Sequence, residues 1–213
     1  MIISLKTYLS ERLKKELPGK IAHSEAAPYR KINFSEKELA EARKSGVLVL
    51  FYIKEEDPHI VLIQRPKYEG THSGQVAFPG GKQEKGDKDI IQTALREANE
   101  EVGIVIDDIE VIGQLTDVYI PVSKFNVTPV VGFVNYTPNF IIDEREVAEV
   151  VSVKLSDITK IKKLTLNEVK LNTGLKIEVP TFELNNKIVW GATAVILNEL
   201  RWILRPLYKS IIS

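Results

Sequence analysis

The stretch Gly80-Gly81-Lys82-Gln83-Glu84-Lys85-Gly86-Asp87, followed by Arg96-Glu97-Ala98-Asn99-Glu100-Glu101-Val102-Gly103-Ile104, constrains this chain more than any other. A glycine pair feeds a helix that carries three glutamates within five residues, next to an arginine. At about 100° per residue, Glu97, Glu100 and Glu101 fall on one face, because positions three and four apart are neighbours. Ile91, Leu95, Ala98 and Val102 fall on another, which reads as the buried stripe. Like charges at that spacing cost roughly 0.2–0.5 kcal/mol per pair. A solvated acidic face is the ordinary outcome for such a helix. A divalent cation held by hard carboxylate oxygens is the alternative that offsets the repulsion.

The flanking elements set that helix inside a larger domain. Apolar positions Ile2, Ile3, Leu5, Tyr8, Leu9 and Leu13 suggest an amphipathic helix over 1–16, closed by Pro18-Gly19 and followed by a polar loop through Ala26-Ala27-Pro28. Ser35 with Glu38 three residues on forms a capping box for a second helix, with Gly46 after its end. The run Val47–Ile53 reads as a buried strand, paired with Ile60–Ile63 across the polar turn Glu55-Glu56-Asp57-Pro58. Val76–Phe78 is a short strand ending at a Gly-Gly turn. Strands are expected at Ile109–Gln114, Thr128–Asn135 and Val147–Lys154. The segment 164–189, with Thr173-Gly174 and Asn185-Asn186, suggests an extra hairpin, and Ala192–Leu204 a last helix before Pro206. Strands first, a helix among them and a helix last argue for an α/β fold with a mixed sheet between helices.

Composition closes off several classes of function. At 213 residues the chain suits one substantial core. With 29 basic and 29 acidic residues the net charge is zero, so no global field recruits nucleic acid or an anionic membrane. The absence of cysteine removes thiolate metal sites and cysteine nucleophiles. The first residues lack the apolar run of a signal peptide and no stretch approaches a membrane span, which points to a cytoplasmic protein.

From Arg96 to Ile104 the pattern R-E-U-x-E-E-x-G-U, with U apolar, is met at every fixed position. It resembles the Nudix box, signature of the Nudix hydrolases, which cleave nucleoside diphosphates linked to another moiety with Mg2+ or Mn2+. The usual box reads G-x5-E-x7-R-E-U-x-E-E-x-G-U. Counted from Gly81, its first acid falls on Asp87, an aspartate where glutamate is usual, and one extra residue then precedes Arg96; Glu84 is a second candidate for that acid. Leu62-Ile63-Gln64-Arg65, then His72-Ser73-Gly74-Gln75-Val76-Ala77-Phe78-Pro79-Gly80-Gly81, is similar to the coenzyme A pyrophosphatase branch, as is Trp190–Leu197. That branch usually has an arginine two residues before the histidine, where this chain has Gly70.

The resemblance covers roughly residues 45–205 and implies an α/β/α sandwich around a mixed β-sheet. Residues 1–44 form a helical N-terminal extension and residues 45–213 the hydrolase domain. It places metal binding on Glu97, Glu101 and Glu100, with a backbone carbonyl from the glycine pair, at Gly81. Arg96 orients a box carboxylate, and Arg65, His72, Ser73, Gln75, Gly80 and Gly81 lie on the substrate side. The general base stays open between Glu100 and an acid outside the box, from Glu144, Glu146 or Glu149, whose ordinary role is surface charge. Trp190 reads as core or as a stacking partner for adenine; His23 and His59 carry no motif. Coenzyme A is the expected substrate. ADP-ribose, a dinucleoside polyphosphate or NADH is the alternative, and a non-catalytic nucleotide-sensing module stands outside the enzyme class. The implied partner is a small-molecule nucleotide, with no nucleic acid and no membrane, and a homodimer is an open possibility.

Overall fold

Strand β1 (Arg43–Lys54) carries the apolar run, and Leu48 to Tyr52 are at most 1% exposed, which requires cover on both faces of the sheet. The computed structural model describes residues 2–29, 31, 34–67, 73–171 and 174–212. Strand β2 (Asp57–Gln64) pairs antiparallel with residues 51–54 of β1 across a two-residue turn, Glu55-Glu56, both at positive φ. After β3 (Val76–Ala77), β4 (Gly80–Lys82) takes up the same edge of β1 at residues 45–47. The expected Gly-Gly turn is therefore a strand.

The other edge of β1 pairs in parallel with β7 (Phe125–Phe133), which in turn holds β5 (Glu110–Gln114) and the short β6 (Val118–Ile120). Strand β8 (Glu149–Lys154) pairs with β2. Among the described residues this makes an eight-stranded mixed sheet, and β9 (Thr165–Lys170), β10 (Lys176–Leu184) and β11 (Lys187–Val189) form a separate antiparallel sheet in the expected insertion. Thr173, named for a turn there, lies outside the described residues.

Alternation along the strands divides the core in two. Leu48, Leu50, Tyr52, Val61, Ile63 and Val130 face one helix, α4 (Ile90–Val102), which buries Ala94, Ala98 and Val102 against them. Val49, Phe51, Ile60, Leu62, Val131 and Phe133 face the opposite way. There they meet α6 (Gly191–Ile212) through Leu197, Leu200 and Leu204, and α1 (Ile2–Arg12) through Leu5 and Leu9. The result is the expected α/β/α sandwich. No helix among the described residues is long and apolar enough to cross a membrane.

Several expectations need correction. The polar loop after Pro18 is a helix, α2 (Gly19–Ala26), entered through Pro18 at its cap position. Proline is favoured at helix starts, so Pro18-Gly19 opens this helix as well as separating it from α1. Helix α3 (Glu36–Ala40) has the capping box on Ser35 and Glu38 but stops early, so that Gly46 lies inside β1. A Cβ on Gly46 would stand 2.6 Å from the Ile90 carbonyl, so glycine there serves the close approach of α4 to the sheet. Helix α6 runs through Pro206 to Ile212, its last turns held where Leu207 and Tyr208 pack on the core. In α4, Thr93 and Ala94 are buried while Ile91 and Leu95 are half-buried. The short α5 (Leu155–Thr159) and β6 were not legible in the pattern.

The binding of α2 to α6 is polar as well as apolar. Glu199 is fully buried and accepts hydrogen bonds from Gly19 N (3.1 Å), His23 Nε2 (3.1 Å), Thr116 N (3.2 Å) and Thr116 Oγ1 (2.6 Å). Two residues on, Arg201, also fully buried, donates to Glu25 Oε1 (2.8 Å), Asn198 Oδ1 (2.9 Å) and the Ile161 carbonyl (2.7 Å). Burial pushes the Glu199 carboxyl up, but the hydrogen bonds from His23 and Thr116, the charge of His23 and the Gly19 N–H outweigh it and hold the group below its ordinary value. Glu199→Ala strands four donors. It is expected to cost about 3–5 kcal/mol in urea unfolding. A depressed carboxyl stabilises above its unfolded value, so the gap from the parent should be full above pH 4.5 and close as pH falls below it.

Candidate active site

Both ends of α4 are fixed before any glutamate is placed. Asp89 caps the first turn by accepting from Gln92 N (2.8 Å). Gly103, in the left-handed region at φ 69°, closes the last turn with its N–H on the Asn99 carbonyl, and Asn99 Nδ2 donates to the Ile104 carbonyl (2.9 Å). Helix α4 then lies against β4, and the acidic face divides. Glu101 is 1% exposed, and its Oε2 accepts from Gly80 N at 2.8 Å. Glu97 lies against Gly81 so closely that a Cβ there would stand 2.2 Å from its Oε2. Glu100 turns outward, its side chain 57% exposed, to pair with Arg96 at 3.0 Å.

Arg96 is the hub of this arrangement. Its Nε and Nη2 grip Asp87 at 2.9 and 3.0 Å, and Nη2 also meets Glu97 Oε1 at 2.9 Å and the Lys82 carbonyl at 3.2 Å. The hydrogen bonds from Arg96 hold the Asp87 carboxyl far below its ordinary value, and the same bonds raise Arg96. Asp87 is thus the acid that Arg96 grips, while Glu84 is exposed and meets Asp87 through its backbone, its N–H donating to Asp87 Oδ2 (2.9 Å) and its carbonyl accepting from Asp87 N (3.1 Å). Arg96 touches carboxylates on three residues, Asp87, Glu97 and Glu100.

Burial pushes Glu101 up to about 8 against the pull of the Gly80 N–H and the Arg65 charge, and Glu97 and Glu146 add to the upward push. Glu97 is raised as well, first by burial, with the Arg96 pair opposing and the charges of Glu100 and Glu146 reinforcing. Glu146, an exposed residue, thus acts through its charge on both. It stands on a loop tied to the end of α4, where Ile141 N and Asp143 N donate to the carbonyls of Val102 (3.0 Å) and Glu101 (3.1 Å), and Glu146 N donates to Asp143 O (2.9 Å). Glu144 is exposed, and Glu149 pairs with Lys187 at 2.8 Å.

On the side expected to meet substrate, Arg65 Nη1 stands 3.6 Å from Glu101 Oε1, and its buried Nε has no hydrogen-bond partner among the described residues. Arg65 N donates to the Gln75 carbonyl (3.0 Å), which brings Gln75 and the neighbouring Ser73 to the same end of β2. His72 and Gly70 lie outside the described residues. Trp190 is half-buried at the start of α6; His59 is buried and bonded to the Asp57 carbonyl. Ser45 went unnoticed in the sequence: its hydroxyl donates to the Gly81 carbonyl at 2.7 Å, sharing the oxygen expected to face a metal. Its only signal is its place just before the apolar run of β1.

Among the described residues no three acidic or histidine side chains already converge as a cation cage. The donor chemistry nevertheless fits a hard divalent ion. Burial raises both Glu97 and Glu101, the charge of Glu97 adds to the push on Glu101, that of Glu146 acts on both, and Gly81 leaves room for the Glu97 carboxylate.

A NUDIX domain model matches residues 42–174. The chain belongs to the Nudix family. It is 35% identical over 158 residues to the Uncharacterized Nudix hydrolase NudL of Enterobacter sp. (strain 638), covering 74% of this chain and 81% of that relative. The NudL of Yersinia pestis (strain Pestoides F) is 34% identical over 161 residues, covering 76% and 79%. Among solved structures, the Nudix hydrolase RenU from M. Smegmatis superposes with a TM-score of 0.50 at 16% identity, over 80% of this chain and 88% of that one. That last likeness shows the fold. The protein is a Nudix pyrophosphohydrolase acting on a nucleoside diphosphate-linked substrate, and Nudix hydrolases generally use divalent metal ions.

Since only a side-chain end blocks a Cβ at Gly81, Gly81→Ala should fold normally while displacing Glu97. Turnover is expected to fall roughly a hundredfold and Mn2+ affinity, read by electron paramagnetic resonance, to weaken with it. Gly86→Ala, where a Cβ meets nothing within 4 Å, is the control and should change neither.

Proposed function

We propose that this Nudix hydrolase cleaves the diphosphate of coenzyme A or its derivatives, giving 3′,5′-ADP and 4′-phosphopantetheine. The observation that carries the proposal is the stretch from Leu62 to Gly81, whose Arg65 reaches the catalytic carboxylate Glu101 at 3.6 Å. Arg65 then binds a phosphate oxygen through its Nε, which has no hydrogen-bond partner among the described residues. Ser73, Gln75 and Gly80 complete the substrate side.

Glu97 and Glu101 would hold Mg2+ or Mn2+, with Glu100 and a backbone oxygen of the glycine pair as further ligands. When bound, such an ion would polarise the phosphoryl oxygens and neutralise charge that builds on the diphosphate. Glu146, exposed to solvent and with its charge acting on both carboxylates, takes the proton of the attacking water. Water adds to one phosphorus, the bridging oxygen leaves with the other phosphate, and the proton passes to solvent. Arg96 keeps Glu97 oriented and Asp87 keeps Arg96 in place. Residues 45–213 carry this chemistry, and residues 1–44 brace it through α6.

Product analysis tests the proposal directly. Purified protein with Mg2+ or Mn2+ should release 3′,5′-ADP from coenzyme A faster than it cleaves ADP-ribose, NADH or a dinucleoside polyphosphate. Chelator should abolish the reaction, and Glu97→Gln should lower it roughly a hundredfold or more. Cleavage of another nucleotide with coenzyme A untouched would overturn the substrate. A protein that binds nucleotide without cleaving any would be a sensor.

A further inference from the structure

The loop that carries Glu146 is tied to α4 through one residue outside the family motif, Asp143. Asp143 N donates to the carbonyl of Glu101 itself (3.1 Å), and the Asp143 carbonyl accepts from Glu146 N (2.9 Å) and Val147 N (2.8 Å). Two backbone hydrogen bonds therefore separate Glu146 from Glu101, with Asp143 as the one residue between. The Asp143 side chain holds the turn as well. Its Oδ1 accepts from Arg145 N at 3.0 Å, the two-residue reach by which an aspartate orders a turn, and its two oxygens accept from Arg145 Nε at 3.0 and 3.1 Å. The chain is pinned on both sides of this turn. Ile141 N donates to the Val102 carbonyl at 3.0 Å, Val147 is fully buried in the core beneath α4, and Ala148 N donates to the Gln64 carbonyl at 2.8 Å.

Between these fixed points Glu144, Arg145 and Glu146 are exposed, and exposed turns are mobile unless something within them fixes the backbone. The ion pair between Asp143 and Arg145 lies at the surface and is worth little by itself. The bond to Arg145 N is of a different kind, because it fixes the backbone one residue before Glu146. We propose that Asp143 is a positioning residue, which holds this turn so that the Glu146 carboxylate stands ready for the attacking water. Asp143 acts through Glu146 and not on substrate or ion. This rests on Glu146 as the general base, proposed above, and deepens that reading.

A double-mutant cycle on kcat, run with the nucleotide the parent protein cleaves fastest, tests this. Asp143→Ala should lower kcat by roughly tenfold, since a 1 Å misplacement of a catalytic group costs on the order of a hundredfold. KM, melting temperature and Mn2+ affinity should stay close to the parent's. Asp143→Asn, which keeps an oxygen for the Arg145 N–H, should recover most of the loss. Glu146→Gln should by itself lower kcat roughly a hundredfold or more, and adding Asp143→Ala to it should cost nothing further. A full further tenfold loss in the double variant shows Asp143 acting elsewhere and overturns the proposal. No recovery in Asp143→Asn also overturns it, as does an effect of Asp143→Ala confined to KM. Lost Mn2+ affinity or a lowered melting temperature in Asp143→Ala marks a structural role and does the same. Parent-like turnover in Asp143→Ala beside a slow Glu146→Gln overturns the proposal and leaves Glu146 as the base. Parent-like turnover in Glu146→Gln overturns the base and the proposal together, and so does a parent protein that cleaves no nucleotide.

Discussion

A carboxylate almost wholly withdrawn from water sets the terms for this structure. Glu101 retains one strong hydrogen bond, from Gly80 N, and a more distant arginine, Arg65. Neither satisfies a buried ion, and the group is pushed up to about 8. Groups shifted in this way cluster at functional sites. Much of the surrounding architecture reads as the means of holding that unfinished site open: the Asp89 cap, the Gly103 stop, Gly46 admitting α4 close to β1, and Gly81 leaving room for Glu97.

Arg96 shows how the cost is distributed. One guanidinium faces Asp87, Glu97 and Glu100, so the acidic stretch of α4 is not a row of mutually repelling charges. Asp87, whose side chain is 3% exposed, anchors the fork from outside the helix. A shorter acid with one extra residue in the loop reaches the same arginine as the glutamate of the usual motif. The departure in sequence is compensated in geometry, and loop length is the cheap variable.

The longer strands of the main sheet, α4 and the carboxylate motif were legible in the sequence because each rests on a local pattern. The Val47–Ile53 run, the capping box at Ser35 and the R-E-U-x-E-E spacing all speak within a dozen residues. What was not legible depends on contacts far along the chain. Helix α2 is held by Glu199 and Arg201, well over a hundred residues away, and its own sequence looks like a polar loop. Pro206 reads as a stop until Leu207 and Tyr208 are seen against the core. The division of the three glutamates, two inward and one outward, needs the position of β4, which helical periodicity cannot supply. Ser45 gave no signal for the same reason, since its partner is a carbonyl thirty-six residues on.

Strand β1 joins these levels. Its interior residues are apolar on both faces because helices cover both, which makes it the most rigid platform available. Where it emerges from that cover, its side chains become chemical: Gly46 admits the catalytic helix, Ser45 holds the Gly81 carbonyl, and Arg43 lies stacked on Phe125. Each is set by the alternation of one strand, so their mutual spacing is as fixed as the backbone itself. Functional groups on a central strand are placed more tightly than groups on loops.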